Sequence, residues 1–130
     1  MIPLPEAVHP VLVVDDDEIV RKAMLGLLLA AGYTALGFAS AAAARAAADP
    51  NGARCAVLDI HLSDLDGFAL ADCLRRAAPG LPLIFITGDS DPRLDRRAGL
   101  AGALGLMHKP VDPECLLALI DAIMPPGAAQ

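Results

Sequence analysis

The sequence predicts an α/β domain, doubly wound, with a five-stranded parallel sheet flanked by five helices. Three observations carry that expectation. Five short apolar runs recur along the 130 residues, and stretches with helical spacing or helix-forming composition alternate with them. Val11-Leu12-Val13-Val14, Cys55-Ala56-Val57-Leu58 and Leu83-Ile84-Phe85-Ile86 are apolar throughout, as buried strands are. Each run ends on a chemically pointed residue: Asp15-Asp16-Asp17, Asp59 and Thr87, with Ala103 to Met107 running into His108-Lys109-Pro110. In an open parallel sheet the carboxyl ends of the strands are where ligands bind, so acids, a hydroxyl and an ammonium should converge around Asp59.

After an N-terminal arm (residues 1–9), the strand Val11 to Val14 leads into a helix whose apolar positions Ile19, Val20, Ala23, Met24, Leu27 and Leu28 recur at helical spacing, with Gly32 as its stop. Tyr33 to Phe38 reads as a short strand. Ser40 caps an alanine-rich helix to Ala48, a small-residue helix able to lie close on the sheet, and Asp49-Pro50-Asn51-Gly52 is the turn after it. The central strand ends at Asp59, a helix follows from about Gly67 to Ala77, and Pro79-Gly80 stops it. The strand Leu83 to Thr87 precedes a polar helix over Arg93 to Leu100, with Pro92 at its first turn. The last strand is expected to end at Lys109, and Asp112-Pro113-Glu114 opens a closing helix to about Met124. Residues 10–124 are therefore read as one domain, and residues 125–130 as a tail or the stub of a linker, which leaves open a stand-alone unit or a fragment of a longer regulator.

A composition of 55% hydrophobic and 20% charged residues excludes a disordered chain. The net charge of -6 disfavours direct nucleic-acid or anionic-membrane contact and suits a protein that holds cations. Cys55, Cys73 and Cys115 are odd in number and scattered, which argues against a disulfide framework or a structural zinc site and for reduced, buried thiols. With no apolar segment of membrane-spanning length and no cationic signal start, a cytoplasmic location is expected.

Carboxylates at neighbouring strand ends repel one another, and a hard divalent ion with oxygen ligands resolves that repulsion, which gives Asp15, Asp16 and Asp59 a shared role. If one of them accepted a phosphoryl group, the ammonium of Lys109 and the hydroxyl of Thr87 are the groups needed to neutralise its oxygens. Each residue alone has a bland reading: Asp17 as a helix cap, Thr87 bonded to backbone, Lys109 solvated. Together, at one end of four strands, they are far more specific.

These motifs resemble the receiver domains of bacterial two-component response regulators over nearly the whole chain, Val11 to Met124. Val13-Val14-Asp15-Asp16-Asp17 is similar to the family's acidic pair, Leu58-Asp59 to its phosphoacceptor, and Asp66-Gly67 to the loop before its third helix. Ile86-Thr87-Gly88 resembles its switch hydroxyl, and Gly102-Ala103 with Lys109-Pro110 its final strand and lysine. The resemblance implies the flavodoxin-like strand order 2-1-3-4-5. It implies that Asp59 takes a phosphoryl group from a sensor histidine kinase or phosphotransfer protein, with Mg²⁺ (or Mn²⁺) held by Asp16, Asp59 and the backbone carbonyl of His61, and by Asp15 through water. Lys109 would pair with Asp59 and then with the phosphate, Thr87 would bond a phosphate oxygen, and the Lys109-Pro110 bond would be cis. Transfer and hydrolysis would be self-catalysed at Asp59, which is not turnover chemistry. The output would be altered contact with a downstream protein target or output domain, or a homodimer, through the face made by the Arg-rich fourth helix, the last strand and the closing helix.

Three features are this chain's own. Leu106 stands where the family usually has an aromatic ring that couples to the hydroxyl. Ser63 stands where a proline is common. His61 and Asp89 occupy the positions that tune phosphoryl lifetime, and exchanging them should change dephosphorylation without abolishing phosphorylation. His61, near three acids, is also a conceivable transition-metal ligand, although a lone loop histidine is more often solvated. Two other classes of function compete. A phosphatase of the haloacid dehalogenase type needs a second acid two residues after its nucleophile, where this chain has His61. A phosphorylation-independent scaffold or dimerisation module fits Leu106 but leaves Asp15, Asp16, Asp59, Thr87 and Lys109 without a purpose.

Overall fold

The computed structural model describes residues 8–123, so most of the expected arm and the whole tail, with Met124, lie outside the described residues. Strands β1 (Val11–Val14), β2 (Ala35–Phe38), β3 (Cys55–Asp59), β4 (Leu83–Thr87) and β5 (Gly105–His108) alternate with helices α1 (Glu18–Ala30), α2 (Ala41–Ala47), α3 (Gly67–Ala77), α4 (Arg93–Leu100) and α5 (Pro113–Asp121). All four strand pairings are parallel, in the order β2-β1-β3-β4-β5.

Residues of β1, β3 and β4 are buried without exception, because helices cover both faces of the sheet and each successive side chain enters one core layer or the other. Leu12, Val14, Ala56, Leu58 and Phe85 face α2, α3 and α4, whereas Val11, Val13, Cys55, Val57, Ile84 and Ile86 face α1 and α5. The Phe85 ring lies 4.5 Å from that of Phe68, and burying each such side chain contributes roughly 1.5–3 kcal/mol. Helix entrances are fixed by Asp17, Ser40, Asp66 and Asp112, whose side chains accept first-turn amides of α1, α2, α3 and α5.

Two edge strands are shorter than the sequence suggests. Tyr33 gives its amide to Leu28 O and so belongs to the end of α1, where Gly32 turns with φ +93°; β2 starts only at Ala35. Likewise Ala103 gives its amide back to Ala98 O after Gly102 (φ +71°), which delays β5 to Gly105, and the strand ends at His108 rather than Lys109. The closing helix ends at Asp121. The thiols also correct the expectation: Cys55 is buried, Cys73 half-buried and Cys115 exposed, all three free.

At the pole where the strands begin, Arg54 ties together the two ends of the described chain. Its amide donates to Pro10 O (2.9 Å) and its Nη1 to Ile123 O (3.3 Å), while the guanidinium lies 5.1 Å from the centre of the Tyr33 ring. Tyr33 in turn bonds Asp121.

Candidate functional site at the carboxyl end of the sheet

Two strand ends and two strand exits meet at the opposite pole. Asp15 follows β1, and its amide bonds Phe38 O; Asp59 closes β3 opposite Ile86 of β4; Thr87 closes β4 opposite His108 of β5; Lys109 then gives its amide to Thr87 O (2.8 Å). The Lys109-Pro110 bond is cis. Parallel pairing thus aligns residues separated by up to 94 positions, Asp15 to Lys109, on one rim.

Lys109 Nζ lies 3.1 Å from Asp59 Oδ2, as a hydrogen bond, and 3.0 Å from Asp15 Oδ2. The latter is an ion-pair distance outside hydrogen-bond geometry, so that buried oxygen has no hydrogen-bond partner. Asp15, Asp59 and Thr87 are buried, and Asp16 is exposed. Burial raises the Asp15 carboxyl above its usual range and the charge of Asp59 adds to that, against the pull of the Asp17 amide and Lys109. For Lys109, burial opposes the charge, but Asp15 and Asp59 outweigh it and hold the ammonium above its ordinary value.

One oxygen from each of Asp15, Asp16 and Asp59 lies within 4.8 Å of the others. Three carboxylates and an orphaned buried oxygen beside a single lysine fit a hard, oxygen-loving divalent cation. His61 gives its amide to Asp59 Oδ1 (3.1 Å), which fixes the phosphoacceptor candidate from the loop side.

Of the five residues that the sequence expects at this rim, the fold brings Asp15, Asp16, Asp59 and Lys109 together. Thr87 reaches the same rim, with its oxygen accepting the Asp89 amide at 3.0 Å, the backbone bond of its bland reading. His61 and Asp89 face each other across the mouth of the site, Nε2 to Oδ2 at 3.1 Å. Leu106 is half-buried and packs into the layer of Phe85 and Phe68. Three participants were missed: Arg21, whose Nη1 bonds Asp15 O (2.9 Å), the Ser63 amide, which bonds Asp16 Oδ2 (3.0 Å), and Asp64, which takes the amides of Ala41 and Ala42. Each partner lies 6 to 47 residues away, and no local pattern announces it.

Residues 11–121 match the family model for the response regulator receiver domain, and the chain belongs to that family. It is 36% identical over 104 residues to the C4-dicarboxylate transport transcriptional regulatory protein DctD of Rhizobium meliloti, covering 80% of this chain and 23% of that protein. To the transcriptional regulatory protein FixJ of Azorhizobium caulinodans it is 32% identical over 127 residues, 98% of this chain and 60% of that one. The chain therefore spans less than two thirds of either relative. Among solved structures, a receiver domain protein from Methanospirillum hungatei superposes with TM-score 0.79 at 29% identity, covering 88% of this chain and 91% of that one. The non-phosphorylated HemR receiver domain of Leptospira biflexa superposes with TM-score 0.82 over 92% and 99% of the two chains; at 24% identity it speaks for the fold alone. Among the described residues no helix is long and apolar enough to cross a membrane.

Proposed function

We propose that this chain is a phosphorylation-dependent switch of a cytoplasmic two-component system or phosphorelay, with Asp59 as phosphoacceptor and residues 10–124 as the functional unit. The observation that carries the reading is Lys109 Nζ held between Asp59 Oδ2 and Asp15 Oδ2, beside a third carboxylate able to share a cation. A carboxylate oxygen of Asp59 attacks the phosphorus of a phosphohistidine on a sensor kinase or phosphotransfer protein. The P–N bond breaks, its electron pair stays on the imidazole, and an acyl phosphate forms on Asp59. Asp15, Asp16, Asp59 and the His61 carbonyl would hold Mg²⁺ (or Mn²⁺), which would supply charge neutralisation for the transferred oxygens.

Lys109 exchanges its bond to Asp59 for one to the phosphate, and the Thr87 hydroxyl, still free to donate, bonds another phosphate oxygen. The new charge favours a conformation in which α4, β5 and α5 present a different surface to a downstream protein or a second copy. Exposed Leu100 and Leu104 lie on or next to that face, whereas Arg97 of α4 turns towards α3, its guanidinium 4.2 Å from the centre of the Phe68 ring. His61 and Asp89, paired over the mouth, meet any water that approaches the acyl phosphate and set its lifetime.

Incubation with Mg²⁺ and a small acyl or amido phosphodonor, followed by intact mass measurement, tests this. One phosphate, dependent on Mg²⁺ and lost in Asp59→Asn, is expected. Single exchanges of His61 and Asp89 should alter only the decay. Absence of any adduct would favour the phosphorylation-independent scaffold.

A further inference from the structure

We propose that the backbone amide of Ser63 is a positioning group for the cation site, fixing the Asp16 carboxylate before an ion arrives, with Asp64 holding the loop that carries it. This rests on the reading that Asp15, Asp16 and Asp59 share a divalent cation. Asp15 and Asp59 are immobilised by burial, by Lys109 and by the Asp17 and His61 amides. Asp16 is exposed, and its side chain has one hydrogen bond among the described residues: Ser63 N to Asp16 Oδ2 at 3.0 Å. Without that bond the carboxylate samples several rotamers, and an incoming ion must order it.

The donor is itself held. Asp64, next in the chain, forks onto the first turn of α2, Oδ1 to Ala41 N (3.1 Å) and Oδ2 to Ala42 N (2.9 Å). The two ends of the loop are joined by the antiparallel bridge between His61 and Asp66, and Gly67 N donates to Ile60 O (2.8 Å). Ser63 N–H is thereby aimed across 47 residues of sequence at the one ligand that the core does not fix.

An amide could instead compete with the ion for the same carboxylate. A carboxylate has about four lone-pair positions, and one amide occupies one of them, so ordering outweighs competition. Partners that orient a metal ligand typically contribute tenfold or more to affinity, and an exposed ligand belongs at the low end of that range.

The test is calorimetric titration of MgCl₂ into the metal-free chain, for the parent, Ser63→Ala, Ser63→Pro and Asp64→Ala, with the thermal midpoint of each metal-free protein. Alanine keeps the amide and proline removes it. Ser63→Ala is expected to bind within about twofold of the parent, Ser63→Pro roughly tenfold more weakly, and Asp64→Ala several-fold more weakly. Equal or tighter binding by Ser63→Pro overturns the inference, and so does an equal loss in Ser63→Ala. Should Ser63→Pro fail to fold, Asp64→Ala decides, and an unchanged affinity there overturns it. A parent that takes up no Mg²⁺ removes the cation site and this inference with it, whereas a binding parent with unresponsive variants removes the inference alone.

Discussion

Lys109 reaches two carboxylates at once because its amide is tied to Thr87 O, which places its stem at the rim, and because only a fifth of its side chain stays in solvent (22%). Its place was legible in the sequence, since a cation at the end of the last strand has only the rim to reach. The pairing of His61 with Asp89 was not, because each side chain sits on a loop whose course is set by tertiary contacts. Tyr33, the sole tyrosine, offers a residue-scale check at the other pole. Burial, then its bond to Asp121 and that residue's charge, push the phenol from 10.0 up to about 12. A folded-state value above the unfolded one means that the associated stability is fully present below about pH 10 and is lost as pH rises towards 12. In Asp121→Asn the phenolate absorbance should appear at a pH between the parent's and the ordinary tyrosine value. An unchanged titration would assign the whole shift to burial.

Among the elements, the passage from β3 into α3 is the tightest. In the sequence Asp66-Gly67 resembles the receiver family's loop before its third helix, but the reason for glycine there is spatial: a Cβ would stand 2.4 Å from Asp59 O and 2.8 Å from Ile60 Cα. Both are backbone atoms and cannot rotate away. Gly67→Ala is expected to cost roughly 1–3 kcal/mol, read as a lower denaturant midpoint, and to slow phosphoryl uptake by displacing Asp59. A variant as stable and as reactive as the parent would show that the strand end yields freely. The buried strands β1, β3 and β4 were readable to the residue because burial on both faces demands unbroken apolar runs. Edge strands carry no such demand. Leu36 in β2 is half exposed, and the first residues of both edge runs, Tyr33 and Ala103, spend their amides on the end of the preceding helix.

For the molecule as a whole, alternation of strand and helix gave the layers, but the strand order came from likeness to receiver domains, because crossovers leave no periodic mark in a sequence. Parallel pairing makes the two poles chemically different: acids, lysine and hydroxyl gather where strands end, and Arg54, Tyr33 and Asp121 where they begin. Pro10 and Ile123 are both bonded to Arg54, so the chain enters and leaves at neighbouring points, far from the acidic rim. Connectivity is therefore separable from chemistry. A circular permutant that joins the segments next to Pro10 and Ile123 by a short flexible linker and opens at exposed Gly80, between α3 and β4, should fold and still take up phosphate at Asp59, as intact mass would report. By the same geometry this unit can be spliced into a surface loop of another protein and leave its reactive pole facing outward, a bead whose string enters and exits on one side.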